Sequence, residues 1–479
     1  MLKEILENLK QEKEYICYQI NDSTYTNKDL YKFVSNIYYY LLENNKEKSR
    51  VLVYGHKDIY MIATFLACSF AGITYIPVDN SVPLERKENI IRQAGVSIVI
   101  DKSIEKIMNI SEYKEISEIF MKEEDIYYII YTSGSTGEPK GVKVTYKNLQ
   151  SCMKWLRGIC KVENSIILNQ AIFSFDLSVA DIYLSLLTRS KHVVLEKEKQ
   201  KDYSLLFNEI KNSDAELAII TPSFAELLLL DRTFNFQIIS NLKKILFCGE
   251  KLNKKTVLKL YERFPEIEII NSYGPTECTF AVTSISLNKQ DLDEISIGVS
   301  KDDVEVFIVD ENLKEVAIGE IGEILISGES VSRGYVDESL NKNKFIIFDN
   351  KKAYLTGDLG YIKNNKIYCV GRKDKQIKYK GYRIELLEIE NVLDNIDVIE
   401  KSIVIPSIKN ERVSKIIGFV KLKENKDFNE LEIRKKLENK LPEYMIPIIK
   451  IIQEIPLNIN GKIDERKLLE EFWDERKNI

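Results

Sequence analysis

The chain has 479 residues, of which 44% are hydrophobic and 30% charged, the balance of a soluble globular protein with roughly three domains, or one large domain and a smaller partner. Its 69 basic and 74 acidic residues give a net charge of −5 and form no basic stripe, which argues against a nucleic-acid partner. Two histidines and seven scattered cysteines without a CxxC pair argue against most zinc sites, a disulfide framework and a hydrolase with a histidine base, and they indicate the reducing cytoplasm.

The N-terminal third contains one long apolar stretch. Residues 1–15 are charged throughout, so no signal peptide is expected. Residues 59–78 carry no formal charge and are long enough to span a bilayer. Because Gly72 and Pro77 interrupt the stretch, we predict a buried helix over 59–71 followed by a buried strand, and no membrane insertion.

Through the first two-thirds of the chain, short apolar runs alternate with helical patterns, which predicts parallel sheets covered by helices. The strand-like runs lie at 51–54, 97–100, 127–131, 245–248 and 267–270, and the helical patterns at 146–158, 203–212 and 254–264. After about residue 300 the strands come closer together, at 304–309, at 322–327 and in a hairpin around Asn364-Asn365. A smaller mixed domain with helices near 385–395 and 428–440 completes the chain, and the boundary is predicted near 371–375.

The strongest local motif follows the strand at 127–131 and reads Thr132-Ser-Gly-Ser-Thr-Gly-Glu-Pro-Lys140. Hydroxyl groups and backbone N–H groups in such a loop can surround an anion, and Lys140 adds a positive charge. The motif is not a Walker A loop, because Gly141 follows Lys140 where that loop has Ser or Thr. A flexible surface loop is the alternative interpretation.

A second motif, Asn271-Ser-Tyr-Gly-Pro-Thr-Glu277, is predicted as a turn directly after the strand at 267–270. Open α/β sheets bind ligands at such strand ends. Thr276 offers a hydroxyl to a phosphate, and Glu277 offers a carboxylate to Mg²⁺. A Gly-Pro turn with a solvated glutamate is the alternative.

Two further segments lie nearer the C-terminus. Asp358 is predicted to stand in a tight turn, where its carboxylate suits the two hydroxyls of a ribose, and the polar stretch 371–381 follows. Lys462, after Asn460-Gly461, is uninformative alone, since most such lysines are exposed turn residues.

In this order and spacing, these segments resemble the adenylate-forming superfamily of acyl-CoA synthetases, luciferases and peptide-synthetase adenylation domains. The resemblance covers nearly the whole chain, including 72–79, 322–328 and 441–447. It implies an α/β fold with a large N-terminal domain, 1–373, of helix-covered sheets plus a small barrel-like subdomain. A small α+β C-terminal domain, 374–479, would rotate about Asp374. At Leu387 the chain departs from the Glu-Leu-Glu-Glu common in the family, and a local surface effect is expected.

The resemblance also implies a reaction in two steps. A carboxylate attacks the α-phosphate of Mg·ATP to give an acyl-adenylate and pyrophosphate, and a thiol then displaces AMP to give a thioester. Thr276 and Glu277 would serve the α-phosphate and Mg²⁺, and Lys462 would bridge the substrate carboxylate, the ribose and the α-phosphate in the first step. The implied ATP site comprises Thr132, Ser133, Gly134, Ser135, Thr136, Gly137, Lys140, Tyr273, Asp358, Arg372 and Lys462.

The segment Phe173-Ser-Phe-Asp176-Leu-Ser178 resembles the family's amino-acid-selecting segment, in which the aspartate pairs with the substrate ammonium. An N-cap for the helix predicted at 178–187 is the alternative role of Asp176. No second charge appears in the implied pocket, so the recognised side chain is uncharged. That pocket comprises Asp176, Leu177, Ala180, Ser223, Leu246, Cys248, Ser272, Phe280 and Ala281.

The segments 173–178, Thr221-Pro-Ser-Phe224 and Phe247-Cys-Gly-Glu250 resemble the D-alanine–D-alanyl carrier protein ligases, which supply D-alanine for esterifying teichoic acids. In that pattern the residue at Ala180 is usually bulkier and the one at Phe280 smaller. Seventeen residues follow Lys462, fewer than a carrier domain needs. We therefore expect the phosphopantetheine thiol to arrive on a separate carrier protein.

Three alternatives stay open. One is a freestanding peptide-synthetase adenylation enzyme for another small amino acid, such as glycine, L-alanine or serine. Another is an acyl-CoA synthetase, which Asp176 disfavours. The third is a catalytically inactive nucleotide-binding protein, which Thr276, Glu277, Asp358 and Lys462 disfavour.

Overall fold

The computed structural model describes residues 1–477 apart from 12, 46, 48, 135–137, 197, 198, 200, 201, 290, 291, 410, 411, 424–428 and 457–462. The chain divides into two compact units. The larger unit contains Met1–Asn80, Ile91–Tyr131 and Gly141–Lys373, and the smaller contains Ser81–Ile90, Thr132–Lys140 and Asp374–Ile479.

The described α-helices lie in both units, and those of the larger unit alternate with strands. They are α1 (Leu2–Gln11), α2 (Asn27–Asn44), α3 (Ile59–Ala71), α4 (Leu84–Ala94), α5 (Glu105–Met108), α6 (Tyr146–Cys160), α7 (Leu177–Leu187), α8 (Tyr203–Asn212), α9 (Pro222–Leu228), α10 (Lys254–Arg263), α11 (Leu386–Asp394), α12 (Glu430–Glu438) and α13 (Glu465–Lys477).

The strands of the described residues fall into five sheets. They are β1 (Ile16–Ile20), β2 (Ser23–Thr26), β3 (Arg50–Gly55), β4 (Tyr75–Asp79), β5 (Val96–Ile100), β6 (Ile126–Thr132), β7 (Lys140–Thr145), β8 (Ile166–Asn169), β9 (Lys191–Val194), β10 (Leu217–Ile220), β11 (Lys244–Phe247), β12 (Glu268–Tyr273), β13 (Thr283–Ser286), β14 (Val299–Ser300), β15 (Val304–Val309), β16 (Gly322–Gly328), β17 (Phe345–Phe348), β18 (Lys351–Lys363), β19 (Lys366–Arg372), β20 (Gln376–Tyr379), β21 (Tyr382–Glu385), β22 (Ile399–Lys409), β23 (Arg412–Leu422) and β24 (Ile448–Ile452).

Two sheets form the larger unit's core. One has the order β14-β13-β12-β11-β10-β8-β9-β1-β2, and the other β5-β3-β4-β6-β7. Pairing is parallel from β12 through β1 in the first and among β5, β3, β4 and β6 in the second. Such sheets must be covered on both faces, so their strands read as continuous apolar runs. The predicted α/β class with helix-covered parallel sheets is confirmed.

Helix α3 is buried at every position, which explains its uncharged and mainly apolar sequence. It ends at Ala71 because Gly72 adopts a left-handed φ of 70°, and the Gly72 N–H bonds to the last carbonyls of the helix. Among the described residues, no helix is long and apolar enough to cross a membrane. The prediction of a helix over 59–71 is confirmed.

The third sheet, β15-β16-β18-β17 with β19 paired to β18, is antiparallel and forms the C-terminal part of the larger unit. The predicted hairpin at Asn364-Asn365 joins β18 to β19, and both asparagines have positive φ, as such a tight connection requires.

The smaller unit has its own core. Antiparallel β20 and β21 precede α11, and β22, β23 and β24 form a mixed sheet. Buried side chains of α11, α12 and this sheet pack together, among them Ile389, Ile433 and Ile416. At one side the rings of Tyr382 and Tyr444 stack 3.8 Å apart.

Two local predictions were wrong. The strand predicted at 267–270 runs on to Tyr273, so Asn271 and Ser272 pair with β13 and do not form a turn. Asp358 does not lie in a tight turn; it lies inside β18, opposite Arg372 of β19. Gly357, with φ 75°, only distorts that strand locally.

Candidate active site

Asp176 immediately precedes α7 and is 7% exposed. Its backbone is helical (φ −63°, ψ −23°), and its side chain accepts no N–H group of the helix. Its Oδ2 instead accepts a hydrogen bond of 2.6 Å from the hydroxyl of Thr276. The helix-cap alternative is therefore wrong, because the carboxylate is directed at the other predicted motif, 100 residues away in sequence.

The segment after β12 reverses direction within a few residues. A Cβ at Gly274 would stand 2.5 Å from the Cα of Ala281, so only glycine fits there. Thr279 and Phe280 adopt left-handed φ values of 59° and 74°, which for a bulky residue such as Phe280 is a strained conformation typical of functional sites. This tight reversal holds Thr276 and Glu277 in a short 3₁₀ turn at the strand end.

Glu277 is fully buried. Its Oε1 accepts a hydrogen bond of 2.6 Å from the hydroxyl of Tyr335, which is itself 3.3 Å from the hydroxyl of Tyr354. A buried carboxylate beside the Thr276 hydroxyl supplies oxygen donors of the kind that Mg²⁺ prefers, and Mg²⁺ sites commonly use only one or two carboxylates with phosphates and water. The donor set therefore fits Mg²⁺.

Asp358 receives two strong donors. Tyr273 donates its hydroxyl to Oδ2 at 2.5 Å, and Arg372 donates to Oδ1 at 2.5 Å from the neighbouring strand. Burial, with the nearby Asp358 charge, raises the pKa of Tyr273 well above its usual value, so the phenol stays a neutral donor. A carboxylate has about four acceptor positions, so Asp358 can accept further hydroxyl groups while held in this orientation.

The predicted amino-acid pocket is mainly apolar. Six of its members belong to one buried hydrophobic cluster with Phe173: Leu177, Ala180, Leu246, Cys248, Phe280 and Ala281. Ser272 lies at the same strand end and donates its hydroxyl to the carbonyl of Phe247 at 2.7 Å. Cys248 is 3% exposed, so inert core packing remains the alternative to its predicted role.

Ser223 is held by a residue that the sequence did not single out for contact. Its N–H lies 2.9 Å from Oε2 of Glu250, and its hydroxyl donates to the same oxygen. Glu250 follows Cys248 and Gly249, so one carboxylate links the 221–224 and 247–250 segments. The adjacency of Cys-Gly-Glu was the only signal in the sequence that could have indicated this.

The predicted phosphate loop lies in the smaller unit, with Arg86, Glu385 and Glu388. The Gly134 N–H donates to Oε2 of Glu388 at 2.9 Å, and the Lys140 ammonium lies 3.2 Å from Oε1 of Glu385. Arg86 forms an ion pair with the fully buried Glu388. Burial raises the pKa of Glu388, although Arg86 and the Gly134 N–H favour its charged form.

The loop thus binds two carboxylates, as a loop suited to anions would. Ser133 also takes part: its hydroxyl donates to the carbonyl of Arg383 at 2.8 Å and accepts the Glu385 N–H at 3.1 Å. Thr132 has a buried hydroxyl with no hydrogen-bond partner among the described residues. The sequence did not predict Arg86 or the carboxylates as partners of this loop.

The remaining predicted residues are placed as follows. Ser135, Thr136, Gly137 and Lys462 lie outside the described residues. Asp374 is the first residue of the smaller unit after Lys373, and its carboxylate accepts the N–H of Gln376 at 3.3 Å. Leu387 is 38% exposed, consistent with the local surface position expected for it.

Comparison with known proteins gives a family and close relatives. The family model of AMP-binding enzymes matches residues 5–336. A D-alanine–D-alanyl carrier protein ligase of Bacillus velezensis is 40% identical over 450 residues, covering 88% of this chain and 89% of the relative. The ligase of the same name from Bacillus licheniformis is 39% identical, covering 89% and 90%.

The fold also matches solved structures. The Vibrio cholerae adenylation domain AlmE, in complex with glycyl-adenosine-5'-phosphate, superimposes with a TM-score of 0.86 at 20% identity, covering 98% of this chain and 97% of that one. At that identity the match demonstrates the shared architecture of helix-covered sheets and a smaller C-terminal part.

Proposed function

The chain belongs to the AMP-binding enzyme family and is a ligase, and on that premise we propose that it adenylates D-alanine with ATP and passes the D-alanyl group to the phosphopantetheine thiol of a separate carrier protein. The proposal rests on the relatives' names, at about 40% identity over most of both chains, and on one feature of the molecule. That feature is the buried, non-capping carboxylate of Asp176.

Asp176 supports an amino acid as the acyl group. A buried carboxylate is stable when it faces a cation or strong donors, and the Thr276 hydroxyl supplies one donor at 2.6 Å. The substrate's α-ammonium would supply the cation. The apolar pocket around Leu177, Ala180 and Cys248 then suits a small uncharged side chain such as the methyl group of alanine.

In the proposed first step, a carboxylate oxygen of the amino acid attacks the α-phosphorus of ATP, and the bond to pyrophosphate breaks. Asp358, oriented by Tyr273 and Arg372, would accept the ribose hydroxyls, and Thr276 would position the α-phosphate. The loop 132–140 would hold the β- and γ-phosphates, and Lys462 would neutralise the charge that gathers as two anions meet. Positioning and charge neutralisation suffice for such a transfer, so a histidine base is not required.

Mg²⁺ bound by Glu277 would neutralise phosphate charge. The contribution of this chain is to hold that carboxylate in a fixed orientation, through the Tyr335 hydroxyl at 2.6 Å. In the second step the carrier thiol attacks the carbonyl carbon of the adenylate, and the bond to AMP breaks. We propose that residues 374–479 turn about Asp374 between the steps, which removes Lys462 from the reacting groups.

We place the reaction in the cytoplasm, where ATP is present and thiols stay reduced. The seven cysteines are thiols in the structure, as is usual in that compartment.

The test is an amino-acid-dependent pyrophosphate exchange assay on the purified chain with Mg·ATP. D-alanine, L-alanine, glycine, both serines and an acid without an amino group would be compared, and product transfer would be followed with a phosphopantetheinylated carrier protein and with free CoA. We expect D-alanine to support the fastest exchange and the carrier, but not CoA, to accept the acyl group.

If exchange were fastest with glycine, L-alanine or serine, that amino acid would be the substrate in place of D-alanine. The result would support a freestanding peptide-synthetase adenylation enzyme. Transfer to CoA would support an acyl-CoA synthetase. If none of the acids supported pyrophosphate exchange, the proposed activity would be refuted.

A further inference from the structure

A buried group of charged side chains surrounds Lys57, outside the residues assigned above. Lys57 follows β3, and its side chain is fully buried. Its ammonium group donates to the carbonyl of Gln170 at 2.7 Å and to the carbonyl of Leu195 at 2.8 Å. These carbonyls follow β8 and β9, so one cation joins the end of a strand in the five-stranded sheet to the ends of two strands in the nine-stranded sheet.

Both histidines of the chain are bonded to aspartates that act on this cation. His56 Nδ1 is 2.6 Å from Oδ2 of Asp79, and His192 Nε2 is 2.9 Å from Oδ1 of Asp181. Both aspartates interact electrostatically with Lys57. Of the titratable groups nearby, Asp79 and Asp181 act on the ammonium group, and His56 and His192 are bonded to these aspartates. Asp58 follows Lys57 in the chain, and Tyr18 donates its hydroxyl to the Lys57 carbonyl.

The carbonyl that Lys57 holds begins the segment that carries Asp176. Gln170 precedes Ala171 and Phe173, which are both buried, and the Phe173 ring lies parallel to the His192 ring. The side chain of Gln170 also accepts the N–H of Thr221 at 3.4 Å, at the start of the helix that contains Ser223. Two of the predicted pocket segments are therefore linked to Gln170, whose backbone carbonyl Lys57 contacts.

A lysine in such a place is costly, since an ammonium group loses its hydration on burial. An unbranched apolar side chain would fill the same space without that cost. What only lysine adds is a charged donor to two carbonyl groups, and such charge-assisted bonds are roughly twice as strong as neutral ones. Besides its interaction with Asp79 and Asp181, the ammonium group therefore serves to hold those two carbonyls in position.

We infer that Lys57 is a positioning residue for amino-acid binding: its ammonium group fixes the segment from Gln170 to Asp176 and, through the Gln170 side chain, the start of the helix that carries Ser223. The inference rests on the proposed function, because Asp176 is there the partner of the substrate ammonium. It assigns Lys57 no contact with the reacting atoms.

The positioning depends on pH. Burial lowers the pKa of Lys57 from 10.5 to about 7, while Asp181 and Asp79 favour the charged form. Below that pH the charged group binds the two carbonyls strongly, and above it the neutral amine binds them more weakly. The contribution of Lys57 to amino-acid binding is therefore large in weak acid and decreases as the pH rises through neutrality.

The experiment compares wild type, Lys57→Met and Lys244→Met in the pyrophosphate exchange assay with D-alanine and Mg·ATP, from about pH 6 to about pH 8.5. Lys244→Met is the matched control, because the Lys244 ammonium also donates to a backbone carbonyl, that of Cys160. Lys244 is the first residue of β11, however, and so lies at the opposite end of that strand from Cys248. Thermal melting checks that each variant is folded. Lys57→Gln, which keeps an uncharged donor, serves if Lys57→Met does not fold.

We expect the KM for D-alanine of Lys57→Met to exceed that of wild type on the order of tenfold near pH 6 and to approach it near pH 8.5. The KM for ATP should stay within about twofold, as should both values for Lys244→Met. Dividing the KM for D-alanine of the variant by that of wild type at each pH gives a KM ratio from which the titration of the substrate cancels. Lys57→Gln should give a smaller KM ratio near pH 6, and that ratio should also decline as the pH rises.

If the KM ratio of Lys57→Met to wild type were one at every pH, the inference would be overturned. A raised ratio that does not change with pH would also overturn it, since that is the result of a simple packing defect. Both results leave the proposed function intact, because wild type would still use D-alanine. Absence of amino-acid-dependent exchange in wild type would overturn the proposed function and this inference together.

Discussion

Replacing Asp176 by alanine tests the proposed substrate class most directly. The carboxylate is 7% exposed, and its Oδ2 is bonded to the Thr276 hydroxyl at 2.6 Å. In the proposed complex the substrate ammonium is desolvated beside it. Asp176→Ala leaves that ammonium without a counter-charge, so binding of the amino acid should weaken while binding of ATP should not.

The size of the effect follows from the burial. Removing one partner of a buried ion pair costs about 3–5 kcal/mol. At about 1.4 kcal/mol for each tenfold change, the loss in kcat/KM for D-alanine is roughly two to four decades. The loss of a hydroxyl–carboxylate hydrogen bond alone, about 1.5–3 kcal/mol, would give roughly one to two decades.

A true helix cap provides the matched control. Asp202 precedes α8, and its side chain accepts the N–H groups of Ser204 and Leu205 at 2.9 and 3.2 Å. Asp202→Ala should lower the free energy of unfolding by about 1 kcal/mol and leave exchange activity unchanged. Asp176→Ala should instead lower the activity by decades, far beyond any effect of Asp202→Ala on activity.

The assay measures kcat/KM for D-alanine and the KM for ATP in wild type and both variants, with chemical denaturation of each. Near-normal kcat/KM in Asp176→Ala would refute the pairing with the substrate ammonium. An equal rise in the KM for ATP would instead point to a general disturbance of the segment around Thr276.

Three further predictions concern other parts of the proposed mechanism. Lys462→Ala should lose about a hundredfold to a thousandfold in adenylate formation yet transfer a preformed D-alanyl-adenylate normally; equal losses in both steps would show that the assignment of the lysine is wrong. Wild type should prefer D-alanine over L-alanine by about tenfold to two-hundredfold, and Cys248→Ala should reduce that ratio more than it reduces turnover, whereas an unchanged ratio would leave Cys248 as core packing. Glu388→Gln keeps an acceptor for the Gly134 N–H but removes negative charge from the predicted phosphate loop, so the KM for ATP should fall by about threefold to tenfold; an unchanged KM would mean that Glu388 does not compete with phosphate.

The sequence predicted elements well where one local pattern determines the structure. The bounds of α3 and α8 agree with the expected 59–71 and 203–212, since apolar runs and periodicity are properties of neighbouring residues. Asp358 was misplaced because Gly357 suggested a turn, whereas cross-strand pairing with Arg372 continues the ladder through it. Strand pairing of that kind is fixed by residues that are not adjacent in sequence.

The contacts of the candidate site were harder to predict for the same reason. Arg86 and Glu388 are 302 residues apart, and no feature of either segment indicates the other. No role was predicted for His56 or His192, yet each is bonded to an aspartate that interacts with Lys57. Motifs predicted which residues carry the chemistry, whereas the side chains that contact them could be identified only from the fold.

The N-terminal hairpin of β1 and β2 forms one edge of the nine-stranded sheet. Its neighbour on the inner side is β9, where Tyr18 pairs with His192, 174 residues later (192 − 18). At translation rates of about 5–20 residues per second, β1 leaves the ribosome roughly 10–35 seconds before β9 exists. During that interval one edge of the hairpin is open to other nascent chains. The hairpin gains its inner neighbour only after all strands of the five-stranded sheet have been made. Slower synthesis through residues 20–190 should therefore lower the yield of folded protein.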